Sequence, residues 1–490
     1  MCKQTSIILG VFDKGIEEMQ MDYLIDGLAD YVSRLKYEDL TERSIEVAKQ
    51  VITDSYANMV FGRYCEASEK IMSYAYMMEI NIKNEIPVLL LGQNKEYTGL
   101  DTAVFVHTMM ARCADLDDGY RHAMGHPGSV LVPLLLTIAN QKQLSGKDMI
   151  TAIVAAYDIY ARLGEALNPF MYREKGFDAT GVCGAVAAAA LVCKIKKLSM
   201  TQTKDAMGIA SLFTGGLIEY QNDGTSGKIL CSGWAALTGL RAARLAICGF
   251  SGPNAALEGR YGFFQAFQGT SGYCDTTSVL KDLGTDFKIN RIYFKRHACQ
   301  RGLHALLDGI VDLRAQHGLT PAIIKSIQIY TSSFVYRLSN QNPSTVVGAQ
   351  ASTQFTTAVA LKYAKMDSEE LVFQSFTDPE IHELVKKVEV IKDDEVQSYL
   401  DQNPTHFCAA KIIITTVEGN QYESWNPVPL GDEETPFGWD MLMDKFESLL
   451  AYSPAKDSKV SVQKRFELLR HFEEISISSQ LDELESLFVL

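Results

Sequence analysis

Fourteen consecutive residues, Asp115 to Gly128, read DLDDGYRHAMGHPG and gather three carboxylates, two histidines and an arginine before Gly125, Pro127 and Gly128 interrupt any helix. Titratable groups at that density are costly to desolvate unless they are solvated or used. The segment lies between the apolar runs AVFVHTMMARCA and SVLVPLLLTIA, which puts it at the edge of a core rather than on an open loop. Imidazole titrates near neutral pH, so His126 is the natural proton carrier of the group. Asp115 is expected to orient it, or to act as a base itself if burial raises its pKa. His122 and His126, four residues apart, could share a metal with Asp115 or Asp118. The glutamate of a zinc-protease helix is absent, however, and Pro127 stops the helix, so no metal is expected.

Two basic clusters stand elsewhere in the chain. In NDGTSGKILCSGWAA, Gly224, Gly227 and Gly233 surround Lys228 and lead into a helix whose free N–H groups favour an anion. A phosphate loop needs Ser or Thr after its GK pair; Ile229 stands there, so a carboxylate is the expected ligand. In FKRHACQRGLHALLDG, Lys295, Arg296 and Arg301 gather at the junction of a strand and a helix. Smaller features are Asp178 and Thr180, just before the small-residue helix of GAVAAAALVC, and Tyr336 with Arg337 in SSFVYRLSN. Asp158 and Arg162, four residues apart on one helix, read as a structural ion pair.

These residues need a scaffold. A chain of 490 residues exceeds one ordinary core. From about residue 22 to 268 the periodicity is helical, with Thr41 and Ser145 as N-caps and the stretch after Ser145 apolar nearly all round, hence central. From 269 to 427 the texture changes: KSIQIYT and FCAAKIIITTVEGNQYESW alternate with a period of two, and Glu418-Gly419-Asn420 forms a hairpin tip. Amphipathic helices return from 428 to 490. The reading is therefore a mainly α fold, a helical domain of 22–268 and 428–490 interrupted by an α+β lid of 269–427, with the cleft between them.

Composition narrows the function. A formal net charge of −14 disfavours nucleic acid and anionic membrane surfaces as partners, which are bound through long-range positive potential. The ten cysteines show no CxxC pair or zinc spacing and read as reduced, mostly buried thiols. The N-terminal SIILGVF is too short for a signal segment and no other apolar run reaches a membrane span, so a cytoplasmic location is expected.

Taken together, the motifs resemble the MmgE/PrpD family, which includes 2-methylcitrate dehydratase, cis-aconitate decarboxylase and iminodisuccinate epimerase. The resemblance runs from about residue 22 to the end. It rests on D-x-D-D followed by HPG at Asp115–Gly128, on GK-x-L-x-x-GWAA-x-x-G from Gly227 to Gly239, and on Lys295 followed by Cys299 and His304. It implies a homodimeric enzyme acting on small polycarboxylates without metal or organic cofactor. Asp115, His126, Lys228 and Lys295 match the family's catalytic groups, with Asp178 as a second acid or base. Arg296, Tyr336, Thr180, Gly119 and His122 are expected around the substrate. Gly119 stands where decarboxylases resembling the animal enzyme carry threonine, Asp178 where many members carry histidine, and Cys231 where a histidine often precedes the GWAA turn. The implied reaction is dehydration of a hydroxy-polycarboxylate. Decarboxylation, epimerisation and ligand binding without turnover are the alternatives.

Overall fold

The computed structural model describes residues 22–78, 87–140, 144–268, 274–368, 374–457 and 460–490. The Ser6–Phe12 run and the first residues of the change in texture, 269–273, lie outside them.

Most of the chain is helical, and the local signals act as their chemistry dictates. Thr41 Oγ1 accepts from Ser44 N at the start of helix Glu42–Tyr64. Ser145 and Asp148 close a reciprocal capping box at the start of helix Gly146–Leu167. That helix is buried along nearly its whole length, as an all-round apolar helix must be. Helix Ala179–Lys196 packs against helix Gly227–Ile247 so closely that a Cβ at Gly239 would stand 2.5 Å from the Ala188 side chain and the Ala189 nitrogen. The small-residue run exists for this contact. By length and composition helix Ala179–Lys196 also passes as a membrane span, but it lies almost wholly inside the protein.

One core joins these helices to the C-terminal ones, Trp439–Leu450, Val462–Arg470 and Gln480–Phe488, through Phe446, Phe466, Leu469 and Phe488. A second core begins at Cys299 and runs to Ile414. It fills one face of a four-stranded sheet ordered Val388–Lys392, Ile324–Thr331, Ala410–Thr416, Gln421–Asn426. The first two strands are parallel and the rest antiparallel. Helices His304–His317, Thr353–Tyr363 and Pro379–Lys386 contribute Leu306, Ile310, Phe355, Val359 and Ile381 to this core. Gly419, at φ 92°, turns the hairpin where expected. Residues 274–298 belong to the first core, through Val279, Phe287, Ile289, Ile292 and Phe294.

One expected contact is absent. Asp158 accepts from Tyr31 Oη and Lys288 N, both at 2.7 Å. Arg162 instead donates to the carbonyls of Val279, Lys281, Asp282 and Asp286. Helical spacing brought the charges near, but Asp158 took a hydroxyl and a backbone N–H, and Arg162 took backbone carbonyls. The nine described cysteines form no disulfide; seven are buried, Cys248 is exposed and Cys274 half-buried.

Candidate active site

The site is built where helix Leu100–Cys113 ends. Asp115 adopts a left-handed backbone, φ 55°, which turns the chain away from the helix axis. The chain then forms a short antiparallel bridge in which Gly119 and Tyr293 exchange backbone hydrogen bonds at 3.0 and 2.8 Å. It loops back so that Tyr120 N reaches Gly125 O, and it enters helix Gly128–Ala139. Gly128 N donates to Asp118 Oδ1 at 2.8 Å, and a Cβ at Gly128 would sit 2.2 Å from that oxygen. The glycine is required there by space. The apolar runs on both sides thus anchor a polar loop whose three carboxylates are all buried.

Each carboxylate has a different neighbour. Asp115 Oδ2 lies 2.5 Å from Lys228 Nζ and Oδ1 lies 2.5 Å from Lys295 Nζ. Burial opposes its ionisation, but Lys228, Lys295 and Arg112 outweigh burial and hold it well below the usual carboxylate range. Asp115 is therefore held ionised as the counter-ion of the two lysines, and its carboxylate makes no hydrogen bond to His126. Burial pushes Lys228 below its ordinary value despite Asp115. Lys295 Nζ also donates to the carbonyls of Asp115 and Cys299, at 3.0 and 3.2 Å.

Asp117 pairs with Arg112, Oδ2 to Nη1, at 2.6 Å, with both side chains buried. The Asp118 carboxyl accepts from Tyr157 Oη at 2.6 Å. Burial, reinforced by Asp54 and Asp117, pushes its pKa up to about 8.

His126 is oriented by this same stretch of chain. Its Nδ1 lies 2.7 Å from the Asp118 carbonyl. A carbonyl only accepts, so Nδ1 carries the proton and Nε2 keeps its lone pair. Nε2 has no partner among the described residues. Burial, then Arg112, lower the imidazole pKa to about 3, and Asp117, 3.7 Å away, compensates only in part. The resting ring is neutral, with a free acceptor.

Asp115, His126, Lys228 and Lys295 share one cavity, partly open to solvent. Arg112, Lys228, Lys295 and Arg301 line it as cations, Asp115 and Asp178 as carboxylates, beside His126, Tyr172, Tyr220, Tyr293 and Gln300. The second core's unit closes it with Phe334 and Phe407. One contact across the junction reaches the start of this loop: Gln350 Nε2 donates to the Ala114 carbonyl.

Of the residues expected from sequence, Asp115, His126, Asp178, Lys228 and Lys295 line the cavity. Asp178 is the N-cap of helix Ala179–Lys196, and its oxygens are occupied by Thr180 N and Tyr220 Oη, each at 2.8 Å. Thr180 lies behind the wall, its hydroxyl accepting from His126 N at 3.2 Å. Gly119 backs onto Tyr293. His122 points away, 3.8 Å from Glu433, so it does not share a site with His126. Among the described residues no cluster of three or more His, Cys, Asp or Glu side chains could hold a metal ion.

Arg296 and Tyr336 are not brought in. Arg296 pairs with Asp308 at 3.0 Å, and Tyr336 lies beneath Lys392 while its neighbour Phe334 enters the cavity. Tyr293 and Lys295 share one side of an extended segment, and the next residue, Arg296, takes the other. Arg301 takes the expected place of Arg296. It is buried, bound to Asp432 at 2.6 Å, and its Nε and Nη1 have no partner among the described residues. Arg112, Tyr220 and Tyr293 were not singled out from sequence. For Arg112 the signal was present, a lone arginine in an apolar helix three residues before Asp115.

Comparison with known proteins gives matches along most of the chain. The MmgE/PrpD N-terminal domain matches residues 26–274 and the MmgE/PrpD C-terminal domain matches residues 297–468. The cis-aconitate decarboxylase-like protein oryM of Aspergillus oryzae is 25% identical over 442 residues, 86% of this chain and 89% of that protein. Cis-aconitate decarboxylase of Aspergillus terreus is 26% identical over 457 residues, covering 88% and 90%. That of Mus musculus is 24% identical over 476 residues, covering 94% of both chains.

Proposed function

The chain belongs to the MmgE/PrpD family and is an enzyme of its lyase type, and from that premise we propose that it dehydrates a small hydroxy-substituted di- or tricarboxylate. The observation that carries the proposal is a neutral imidazole with a free Nε2 in a cavity lined by four cationic side chains.

Substrate carboxylates are held by Lys228, Lys295 and Arg301, strong charge-assisted donors in a chain that is acidic overall. His126 Nε2 removes a proton from the carbon next to a carboxylate, and the C–O bond to the hydroxyl breaks as the double bond forms. The Lys228 ammonium, its pKa lowered by burial, gives the departing hydroxide its proton. Water leaves; His126 then loses its proton and Lys228 regains one through solvent. A bound carboxylate raises the His126 pKa, so the imidazole becomes a stronger base only when substrate is present.

A second reading is decarboxylation of a cis-aconitate-like tricarboxylate, favoured by the printed activities of the relatives. There a C–C bond breaks, carbon dioxide leaves, and the electron pair left on carbon takes a proton from Lys228 or from protonated His126.

Proton NMR in deuterated water on a panel of di- and tricarboxylates tests both. Dehydration converts a hydroxy acid to an olefinic product, and decarboxylation releases carbon dioxide with deuterium incorporated. Exchange without loss of either group indicates epimerisation. A panel recovered unchanged overturns the enzyme reading.

We also propose a homodimer. Leu230, Trp234 and Leu245 stand exposed on helix Gly227–Ile247, and apolar side chains in this number on one helix mark an association surface. Light scattering tests it, with Trp234→Glu expected to shift the species toward monomer.

A further inference from the structure

Three tyrosines line the cavity, and they are not equivalent. Tyr220 donates to Asp178 at 2.8 Å, and Tyr172 accepts from Gln221 at 2.7 Å. The Tyr293 hydroxyl has no partner among the described residues. Its ring is fixed on two sides: the Arg301 guanidinium lies over it at 3.9 Å, and the His126 ring meets it edge-on at 6.3 Å between centroids. Arg301 brings two more unused donors, Nε and Nη1, its Nη2 being bound to Asp432. An unpartnered phenol and a half-used, deeply buried guanidinium thus stack beside the base.

The phenol has this place because residue 119 lacks a side chain. A Cβ at Gly119 would lie 2.3 Å from both Cζ and Oη of Tyr293. Gly119 does not adopt a left-handed backbone, so it is a matter of space. Burial pushes the phenol well above its ordinary value even though Arg301 works against it, so Tyr293 is a donor at any working pH.

We propose that Tyr293 and Arg301 form a stacked donor pair that binds one carboxylate of the substrate, and that Gly119 is the residue that admits it. The inference rests on the reading of the cavity as a polycarboxylate site. The pair is a second anchor, separate from the Lys228 and Lys295 ammonium groups, and it selects substrates with a further carboxylate beyond the one adjacent to the reacting carbon. With no side chain at position 119, the phenol keeps its place and gives its O–H to that carboxylate, and Arg301 supplies the charge.

The test compares wild type, Tyr293→Phe and Gly119→Ala on a substrate found in the panel above and on its analogue with the distal carboxylate converted to an amide. Tyr293→Phe keeps the ring and its stacking and removes only the O–H. It is expected to raise KM for the full substrate by roughly 10- to 100-fold, the worth of a hydrogen bond to a charged group, with kcat within about threefold. KM for the amide should change little, so the preference for the distal carboxylate shrinks. Gly119→Ala, which displaces the phenol, should reproduce the pattern. An unchanged KM in Tyr293→Phe, or an equal loss for both compounds, overturns the inference and leaves the lyase reading standing. A wild-type enzyme that turns over no polycarboxylate overturns both.

Discussion

The Asp115 carboxylate and the Lys295 ammonium meet twice, side chain to side chain at 2.5 Å and ammonium to backbone carbonyl at 3.0 Å. With Lys228 on the other oxygen, Asp115 neutralises part of a buried cationic cluster. Removing one partner of a buried ion pair leaves an uncompensated charge. Asp115→Asn is therefore expected to lose about 3–5 kcal/mol of stability in urea titration and to abolish turnover. A urea midpoint equal to that of wild type would contradict the counter-ion role.

The state of His126 fixes a pH dependence. Its imidazole must be neutral to act as a base, and in the free protein it stays neutral until pH falls to about 3. Once the substrate's own carboxyl ionisations are corrected for, kcat/KM, which reports ionisations of the free enzyme, should stay level from pH 7 to 5 and show no acid inflection at the usual histidine value of about 6.5. The same shift has a stability consequence. Below pH ~6.5 the unfolded imidazole takes up a proton that the folded one refuses, so acidification destabilises the fold down to about pH 3. His126→Gln should be inactive and should show a shallower fall of Tm between pH 6.5 and 4. An inflection near 6.5 in kcat/KM would remove His126 as the base.

Asp118 carries the opposite sign. Its folded pKa of about 8 exceeds the unfolded value, so the folded protein holds a proton that the unfolded chain has released, and stability falls as pH rises from ~4 to about 8. Asp118→Asn keeps an oxygen for Gly128 N and removes the ionisation. It should gain at least ~1 kcal/mol at pH 7.5 and almost nothing at pH 4, read by thermal denaturation at both pH values. A gain independent of pH would mean that the carboxyl is not the titrating group.

Arg296 and Arg301 separate the sequence reading from the structural one. Arg296→Ala and Tyr336→Phe, both outside the cavity lining, should change kcat/KM by less than about threefold, whereas Arg301→Met should lower it by ~100-fold or more. The reverse order would place the substrate elsewhere.

Local signals in the sequence were clear where local chemistry decides structure. Ser145 with Asp148, Thr41, Gly419 and the small-residue helix Ala179–Lys196 act as their residue types require. The loop from Asp115 to Gly128 was recognisable because its polar density clashes with the apolar helices beside it. Strand Val388–Lys392 was passed over: it is short, flanked by charge, and takes its strand identity from pairing with Ile324–Thr331, a contact made sixty residues away. Partner choice was the other gap. Helical spacing suggested Asp158 with Arg162, and motif proximity suggested Asp115 with His126. Buried charges go to whichever donors or carbonyls the tertiary structure brings into line, and those came from Tyr31, Lys288, Lys228 and Lys295.

The two lysines of the cavity are already occupied by a carboxylate that belongs to the protein. Asp115 acts as a tethered stand-in for the ligand, so an incoming anion shares Lys228 with it, using the ammonium N–H groups that Asp115 leaves unbound. Binding then adds a second anion to a cation already partly neutralised, which favours modest affinity and rapid product release over tight capture. An inhibitor that merely copies the substrate's charges meets the same competition. One that bypasses Asp115 meets Arg301 instead, where Asp432 takes only Nη2.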